Sequence, residues 1–187
     1  MNRTILFTGT HSSGKTTLID KLKELKVIKN VSFVNSISNE LRQEGYVFNK
    51  ESTNEIQLLL ALKDWNNLAK HHINSINTVF DRSIFDTFIY SKWSYLKGDL
   101  SKVCFLEIEK MYNTLFIESK LFHVIYFCQP EFGLIEDGRR SNDSDFQLQI
   151  HEMMDSELKK YGGRVILLKG TIEERLNQII KEEEKYV

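Results

Sequence analysis

Short apolar runs recur along the chain and alternate with longer amphipathic segments. The apolar runs cover Thr4–Thr8, Asn30–Asn35, Asn77–Asp81, Leu121–Cys128 and Arg164–Leu168. Each has the length of a buried strand, and the run at 121–128 is apolar at nearly every position, as an inner strand of a parallel sheet requires. The pattern therefore predicts five β-strands.

Segments in which apolar residues recur at helical spacing separate the predicted strands. They lie at 16–29, 39–45, 53–70, 84–96, 101–120, 146–161 and 172–184. Strands that alternate with helices favour an α/β fold, with a parallel sheet covered by helices on both faces. No repeat, low-complexity linker or break in composition divides the chain, so we expect a single domain over residues 1–187.

Composition narrows the class of protein further. The chain has 187 residues, of which 41% are hydrophobic and 27% charged, and its net charge is -1. This balance is typical of a globular domain and lacks the broad positive charge of non-specific nucleic-acid binders. We expect a cytoplasmic protein with no membrane association, for three reasons. The two cysteines are isolated, no signal peptide is visible, and the apolar runs are far shorter than the ~20 residues of a membrane span.

A phosphate-binding pattern lies between the first predicted strand and the first predicted helix. Residues 9–16 read G-T-H-S-S-G-K-T and match G-x-x-x-x-G-K-[ST]. Gly9 and Gly14 allow the backbone to curl so that successive amides point into one concavity. Lys15 places a cation beside the β- and γ-phosphates, and the Thr16 hydroxyl suits Mg²⁺. We therefore expect ATP and Mg²⁺ to bind here, with nucleotide contacts from Gly9, His11, Ser12, Ser13, Gly14, Lys15, Thr16 and Thr17.

A second candidate segment follows the third predicted strand, where Asp81 is succeeded by Arg82. Functional residues gather at the carboxyl ends of strands in open α/β sheets. A carboxylate there holds Mg²⁺, together with Thr16, or takes a proton from an acceptor hydroxyl, and an arginine binds phosphate. The alternative is a helix-capping Asp beside a solvated Arg. A motor ATPase is disfavoured because Arg82 occupies the position after the strand-end Asp, where such ATPases have a glutamate that polarises water. A switch GTPase is disfavoured because the D-x-x-G element that such proteins need is absent from the sequence.

A third segment, Asp137-Gly138-Arg139-Arg140, lies between the fourth strand and the next helix. Arginines on a glycine-containing segment supply positive charge to a moving phosphoryl group when the segment closes and excludes water. We expect a lid over about residues 131–145, and a solvated basic turn is the alternative. The candidate catalytic residues are thus Lys15, Asp81, Arg82, Arg139 and Arg140.

Four motifs occur together over nearly the whole chain. They are G-T-H-S-S-G-K-T-T-L at 9–18, D-R-S at 81–83 followed by Asp86 and Tyr90, D-G-x-R at 137–140, and G-T-x-E-E-R at 170–175. Together they resemble the P-loop nucleoside and nucleotide kinase-like family, in particular its nicotinamide riboside kinase domains and AAA-type kinase-like proteins, with thymidylate kinases more distant. The resemblance implies a P-loop NTPase three-layer sandwich with a five-stranded parallel sheet in the order 2-3-1-4-5. It also implies ATP and Mg²⁺ as cofactors, with the adenine against Gly170 and Thr171.

The resemblance leaves the acceptor site less defined. It implies that the helix at about 53–70 covers the acceptor, but the acidic and arginine residues that many members carry after the second strand align here with Ser36 and Asn39. Glu40 and Arg42, within one turn, are candidates to replace them. Either Asp81 or Glu40 is then the base. The candidate acceptor contacts are Glu40, Arg42, Trp65, Asp86 and Tyr90.

These features favour an ATP-dependent phosphotransferase that moves the γ-phosphoryl group to a hydroxyl or phosphate of a nucleoside, nucleotide or nicotinamide riboside. A polynucleotide or modified-base kinase acting on DNA or RNA is one alternative. A nucleotide-binding regulatory ATPase module is another. The expected partner is a small-molecule substrate, nucleic acid is not favoured, and a homodimer is left open.

Overall fold

A computed structural model describes residues 3–46, 53–74, 76–131 and 143–186. The strands are β1 (Thr4–Thr8), β2 (Ser32–Val34), β3 (Thr78–Asp81), β4 (Val124–Cys128) and β5 (Val165–Leu168). They form one sheet in the order β2-β3-β1-β4-β5, and every neighbouring pair is parallel. The predicted fold class and strand order are confirmed.

The helices fall in the segments where apolar residues recur at helical spacing. They are α1 (Lys15–Glu24), α2 (Ile37–Gln43), α3 (Asn54–Ile73), α4 (Ile84–Lys97), α5 (Lys102–Tyr112), α6 (Ser144–Tyr161) and α7 (Ile172–Glu183). The helix predicted over 101–120 is divided, because a π-helical segment, Asn113–Glu118, follows α5.

Two leucines of the helical pattern, Leu25 and Leu62, lie at the surface. Leu25 is 57% exposed because α1 ends at Glu24 and the chain turns at Lys26, where φ is 49°. Leu62 is 50% exposed because the buried side of α3 is centred on Ala61 and Leu68. Helical spacing alone shows neither where a helix ends nor which stripe of it is buried.

The sheet is buried on both faces, which produces the three layers. Alternate residues of a strand point to opposite faces. Accordingly Leu6 and Phe80 pack with α4, α5 and α6, whereas Ile5 and Phe7 pack with α1 and α7. Among the described residues, no helix has the length and apolar character that crossing a membrane requires.

The register of the sheet places the candidate motifs side by side. Phe7 of β1 is opposite Asp81 of β3, so the loop after β1 and the segment after β3 leave the same edge of the sheet. Cys128 ends the neighbouring strand β4 and lies against Gly9. The phosphate-binding pattern and Asp81 therefore meet at the carboxyl edge, where open α/β sheets bind ligands.

Candidate active site

The loop over residues 9–16 has a backbone that its glycines make possible. Gly9 has a φ of 141°, and a Cβ added there would lie 2.5 Å from the carbonyl oxygen of Cys128. Such a contact with backbone leaves no room for any other residue. Gly14 has a φ of 79° and precedes the first residue of α1, while Ser12 has a φ of 56°. These positive φ values curl the loop around the amino end of the helix.

Lys15 is buried within this loop. Its Nζ donates to the carbonyl oxygens of Gly9 and Thr10, both at 2.6 Å, and to Ser13 Oγ at 3.0 Å. Burial, with a further contribution from the charge of Arg82, lowers the pKa of Lys15 to about 7. A polyanion bound beside Nζ favours the ammonium form, so anion binding near neutral pH is coupled to protonation of Lys15.

Two hydroxyl groups of the loop are buried without a protein partner. Thr10 Oγ1 and Ser12 Oγ accept and donate no hydrogen bond within the described part of the chain. Leaving such groups unpaired costs roughly 1–3 kcal/mol each, so a buried hydroxyl normally has a partner. Ser12 lines the cavity described below. The loop thus has hydroxyl groups suited to hydrogen bonds with the oxygens of a polyphosphate.

Asp81 and Arg82 border the loop from β3. The backbone N–H of Arg82 donates to the carbonyl of Phe7 at 2.9 Å, and Arg82 has a φ of 70°. A non-glycine residue in this left-handed region is strained, and such strain is frequent at functional sites. The Arg82 guanidinium donates to Asp86 Oδ1 at 2.9 Å and lies 5.8 Å from the centre of the Tyr90 ring. The strained backbone thus directs Arg82 across the first turns of α4.

Asp86 organises this corner from the first turn of α4. Its carboxylate accepts hydrogen bonds from Thr8 Oγ1 at 2.9 Å and from the Ser83 N–H at 3.2 Å, besides that from Arg82. Burial raises the pKa of Asp86, and the charges of Arg82 and Lys15 oppose that rise. Asp86 borders the cavity, but its oxygens already accept hydrogen bonds from three protein donors, which leaves less of their capacity for a ligand.

One cavity of about 500 Å³ joins the loop to the wall formed by α2, α3 and α4. Twelve of the residues expected at the site line it: His11, Ser12, Ser13, Gly14, Lys15, Thr16, Thr17, Arg42, Asp81, Arg82, Asp86 and Tyr90. Tyr90 bridges the two sides, because its hydroxyl accepts the His11 N–H at 3.3 Å. The residues expected to bind phosphate and several acceptor candidates therefore share one space.

Other expected residues lie elsewhere. Glu40 is on the exposed side of α2, and Trp65, on α3, is 37% exposed; neither lines the cavity. Gly170 and Thr171 also lie outside its lining, although the next residue, Ile172, contributes to it. Arg139, Arg140 and most of the segment expected as a lid lie outside the described residues. Their roles stay predictions.

Two cavity residues on α3 were not expected. Gln57 Oε1 accepts a hydrogen bond from Ser91 Oγ at 3.0 Å, and Asp64 Oδ2 accepts one from Thr87 Oγ1 at 2.7 Å. Burial raises the pKa of Asp64 to about 7. A spacing of seven residues places both side chains on one face of the helix. That spacing was visible in the sequence, but its polar residues lie among leucines that gave the stronger signal.

Oxygen ligands for Mg²⁺ are present between the loop and β3. The Thr16 hydroxyl and the Asp81 carboxylate both line the cavity, and hard oxygen donors are what Mg²⁺ prefers. Within the described ranges, no three or more His, Cys, Asp and Glu side chains group into a metal site. The donor set fits an ion that keeps several waters and shares its coordination with phosphate oxygens.

Comparisons with known proteins identify the family and the fold. A family model described as an AAA domain matches residues 4–175. Among solved structures, a NadR protein in complex with NR is similar with a TM-score of 0.77 and 20% identity, over 99% of this chain and 51% of that one. Deoxyadenosine kinase from M. mycoides, with products dCMP and dCDP bound, is similar with a TM-score of 0.71 and 12% identity, over 98% of this chain and 100% of that one.

The chain thus spans about half the length of the NadR chain and the full length of the deoxyadenosine kinase. Identities this low show a shared fold. A search of curated protein sequences found no significant match. Since the family model covers most of the residues, the chain belongs to this AAA-domain family, and its fold is that of the P-loop nucleoside kinase-like proteins.

Proposed function

We propose that this protein transfers the γ-phosphoryl group of ATP to a hydroxyl or phosphate of a small nucleoside-type acceptor. The observation that carries the proposal is the single cavity of about 500 Å³ shared by the phosphate-binding loop and the polar wall of α2, α3 and α4. Phosphoryl transfer requires donor and acceptor to meet in line, in a place from which water is excluded. One space lined by both sets of residues allows donor and acceptor to meet.

The ATP side of the proposed reaction is assigned to the loop and the first turn of α1. Backbone amides at the amino end of the helix bind the β- and γ-phosphates. Lys15 exchanges the carbonyl oxygens that it now contacts for phosphate oxygens. The Thr16 hydroxyl and the Asp81 carboxylate, which both line the cavity, would hold Mg²⁺, and the ion would supply positive charge to the phosphates. Gly170 and Thr171 are proposed to flank the adenine.

The chemical step is assigned to Asp81 and Arg82. Asp81 accepts the proton of the attacking hydroxyl in addition to its place near the metal, and it suits this role better than Glu40 because it lines the cavity while Glu40 faces solvent. Arg82 stabilises charge on the transferred group, held in position by Asp86. Arg139 and Arg140 are proposed to add positive charge from the lid.

The acceptor is proposed to be nucleoside-like on two grounds. The cavity has the size of small-molecule sites, which enclose roughly 300–1,000 Å³. Apolar surface from Ile37 and Leu60 adjoins polar groups of Arg42, Gln57 and Asp64, a combination that suits a flat ring with polar edges. NadR in complex with NR and deoxyadenosine kinase with its products show such ligands in proteins of this fold.

A transfer assay tests the proposal. The protein is incubated with γ-labelled ATP, Mg²⁺ and a panel of nucleosides, nucleoside monophosphates, nicotinamide riboside and hydroxyl-ended oligonucleotides. The proposal expects label on one or more of the small acceptors. Label confined to oligonucleotides would replace it with a polynucleotide kinase, and tight ATP binding with no labelled acceptor would replace it with a regulatory module.

A further inference from the structure

Two side chains from outside the phosphate-binding loop hold carbonyl oxygens of that loop. Gln147, near the start of α6, donates from Nε2 to the carbonyl oxygen of His11 at 2.7 Å. Arg175, in the first turn of α7, donates from Nη1 to the carbonyl oxygen of Ser13 at 2.7 Å. Gln147 is 9% exposed and Arg175 fully buried, so water does not compete for either contact.

Holding a carbonyl also sets the direction of the amide that follows it. In a planar trans peptide, the C=O and the next N–H point in opposite directions. Gln147 therefore turns the Ser12 N–H away from itself, and Arg175 does the same for the Gly14 N–H. Both Ser12 and Gly14 line the cavity. The two amides so fixed belong to the group that is proposed to bind phosphate.

The contacts that Lys15 and α1 make with the loop hold other carbonyls. Lys15 takes the carbonyls of Gly9 and Thr10, and the carbonyl of Gly14 accepts the first helical bond, from the Leu18 N–H at 3.0 Å. The carbonyls of His11 and Ser13 are the ones held from α6 and α7. Glycine tolerates positive and negative φ about equally, so the peptide before Gly14 has alternative orientations unless something holds it.

Arg175 is suited to this task by its other contacts. Its Nε donates to the carbonyl of Gly170 and its Nη2 to that of Gln129, both at 2.8 Å. One guanidinium thus joins the phosphate loop to the end of β4 and to the start of α7. Its five donors lie in a rigid plane, an arrangement that a lysine ammonium does not reproduce.

We propose that Gln147 and Arg175 are positioning residues for nucleotide binding: Gln147 aims the Ser12 amide, and Arg175 the Gly14 amide, at the polyphosphate. The inference rests on the proposed binding of ATP and adds a specific role for two residues that lie outside the phosphate-binding pattern. Because each side chain orients one amide, replacing either side chain is expected to affect that amide and leave the other unchanged.

The test measures ATP affinity and individual amide signals together. Calorimetry with Mg²⁺ and ATP is expected to show about tenfold weaker binding for Gln147→Met, because the freed peptide loses its fixed orientation, and a tenfold change corresponds to about 1.4 kcal/mol. Gln149→Met is the matched control. Gln149 lies two residues further along α6 and accepts from Trp93 Nε1 at 2.9 Å, away from the loop, so wild-type affinity is expected.

Amide NMR shifts on titration with Mg²⁺ and ATP separate aiming from general loosening. In Gln147→Met the ATP-induced shift of the Ser12 amide is expected to shrink while that of Gly14 is retained, and in Arg175→Lys the pattern is expected to reverse. Equal loss at both amides, or wild-type affinity in Gln147→Met, overturns the inference. If Arg175→Lys fails to fold, the Gln147 arm decides.

Wild-type protein that binds no ATP would remove the proposed function together with this inference. If the wild-type protein binds ATP and the Gln147→Met variant binds it with the same affinity, the inference alone is removed.

Discussion

The two walls of the cavity are built by different means. On the phosphate side, the geometry is set by backbone: glycines with positive φ, carbonyls held by Lys15, and the amino end of α1. On the α3 side, it is set by side chains, with Gln57 and Asp64 each paired to a hydroxyl on α4. A backbone-built wall suits a ligand group common to many proteins, whereas a side-chain-built wall changes with a few substitutions.

The difference extends to charge. On the loop side, Lys15 and Arg82 face the proposed phosphates. On the α3 side, Asp64 has a carboxyl whose Oδ1 contacts no described hydrogen-bond donor, although Oδ2 is bound by Thr87. Burial moves the pKa values of Lys15 and Asp64 toward each other, both to about 7. Each wall thus holds one buried group whose pKa lies near neutral pH.

The largest loss of activity is expected from a substitution on the phosphate side of the cavity. Lys15→Met removes the cation that is proposed to lie beside the transferred phosphate. We expect the transfer rate to fall by at least about 100-fold, as for loss of a preorganised charge-stabilising donor. The labelled-ATP assay measures this loss. Lys23→Ala, on the same helix with its amine near the exposed Asp20, is the control and should retain the wild-type rate. A Lys15→Met enzyme within tenfold of wild type would place the site elsewhere.

The next effect separates chemistry from binding. Asp81→Asn keeps the shape of the side chain and one oxygen for the metal but removes the proposed base. We expect transfer to fall by about 100-fold or more, with ATP affinity within a few-fold of wild type. Calorimetry and the transfer assay on the same preparation check both numbers. Wild-type turnover in this variant would reassign the base, with Glu40→Gln as the variant to measure next.

The smallest effect is expected on the α3 side of the cavity, where a substitution changes how stability depends on pH. Burial raises the pKa of Asp64 from 3.8 to about 7, so the folded protein binds this proton more tightly than the unfolded chain does. The contribution of Asp64 to stability therefore falls as the pH rises from about 4 to about 7. Asp64→Asn removes this penalty while keeping an acceptor for Thr87.

We expect Asp64→Asn to raise the free energy of unfolding at pH 8 by about 1 kcal/mol or more and to change it little at pH 4.5. Urea denaturation at the two pH values measures the difference. Asp155→Asn, at an exposed i,i+4 pair with Lys159, is the control and should shift stability by less than about 0.5 kcal/mol. A destabilised Asp64→Asn at pH 8 would show that the carboxylate is held charged.

The contrast between the walls also explains what the sequence allowed us to predict. The loop could be identified residue by residue because its chemistry depends on glycines, a lysine and a threonine at fixed spacing. The strand order followed from the resemblance that the loop and the D-R-S motif carry, and the sheet confirms it.

The α3 side of the cavity was harder to predict because its residues depend on which stripe of α3 is buried. Trp65 was a candidate acceptor contact, yet it is 37% exposed and lies outside the cavity lining, whereas Asp64 beside it lines the cavity. The positions of Gln147 and Arg175 were inaccessible for a different reason. They act on residues 136 and 162 positions away along the chain, and only the packed fold brings such pairs together.

The central claim is that the amides at the amino end of α1, with Lys15, bind the polyphosphate of ATP. Isothermal titration of the wild-type protein at pH 8, in buffers of different ionisation enthalpy, tests it most directly. Since Lys15 has a pKa of about 7 and a bound polyphosphate favours its charged form, the account predicts magnesium-dependent binding with uptake of up to about one proton. No binding of ATP or a close analogue in the presence of Mg²⁺ would contradict it.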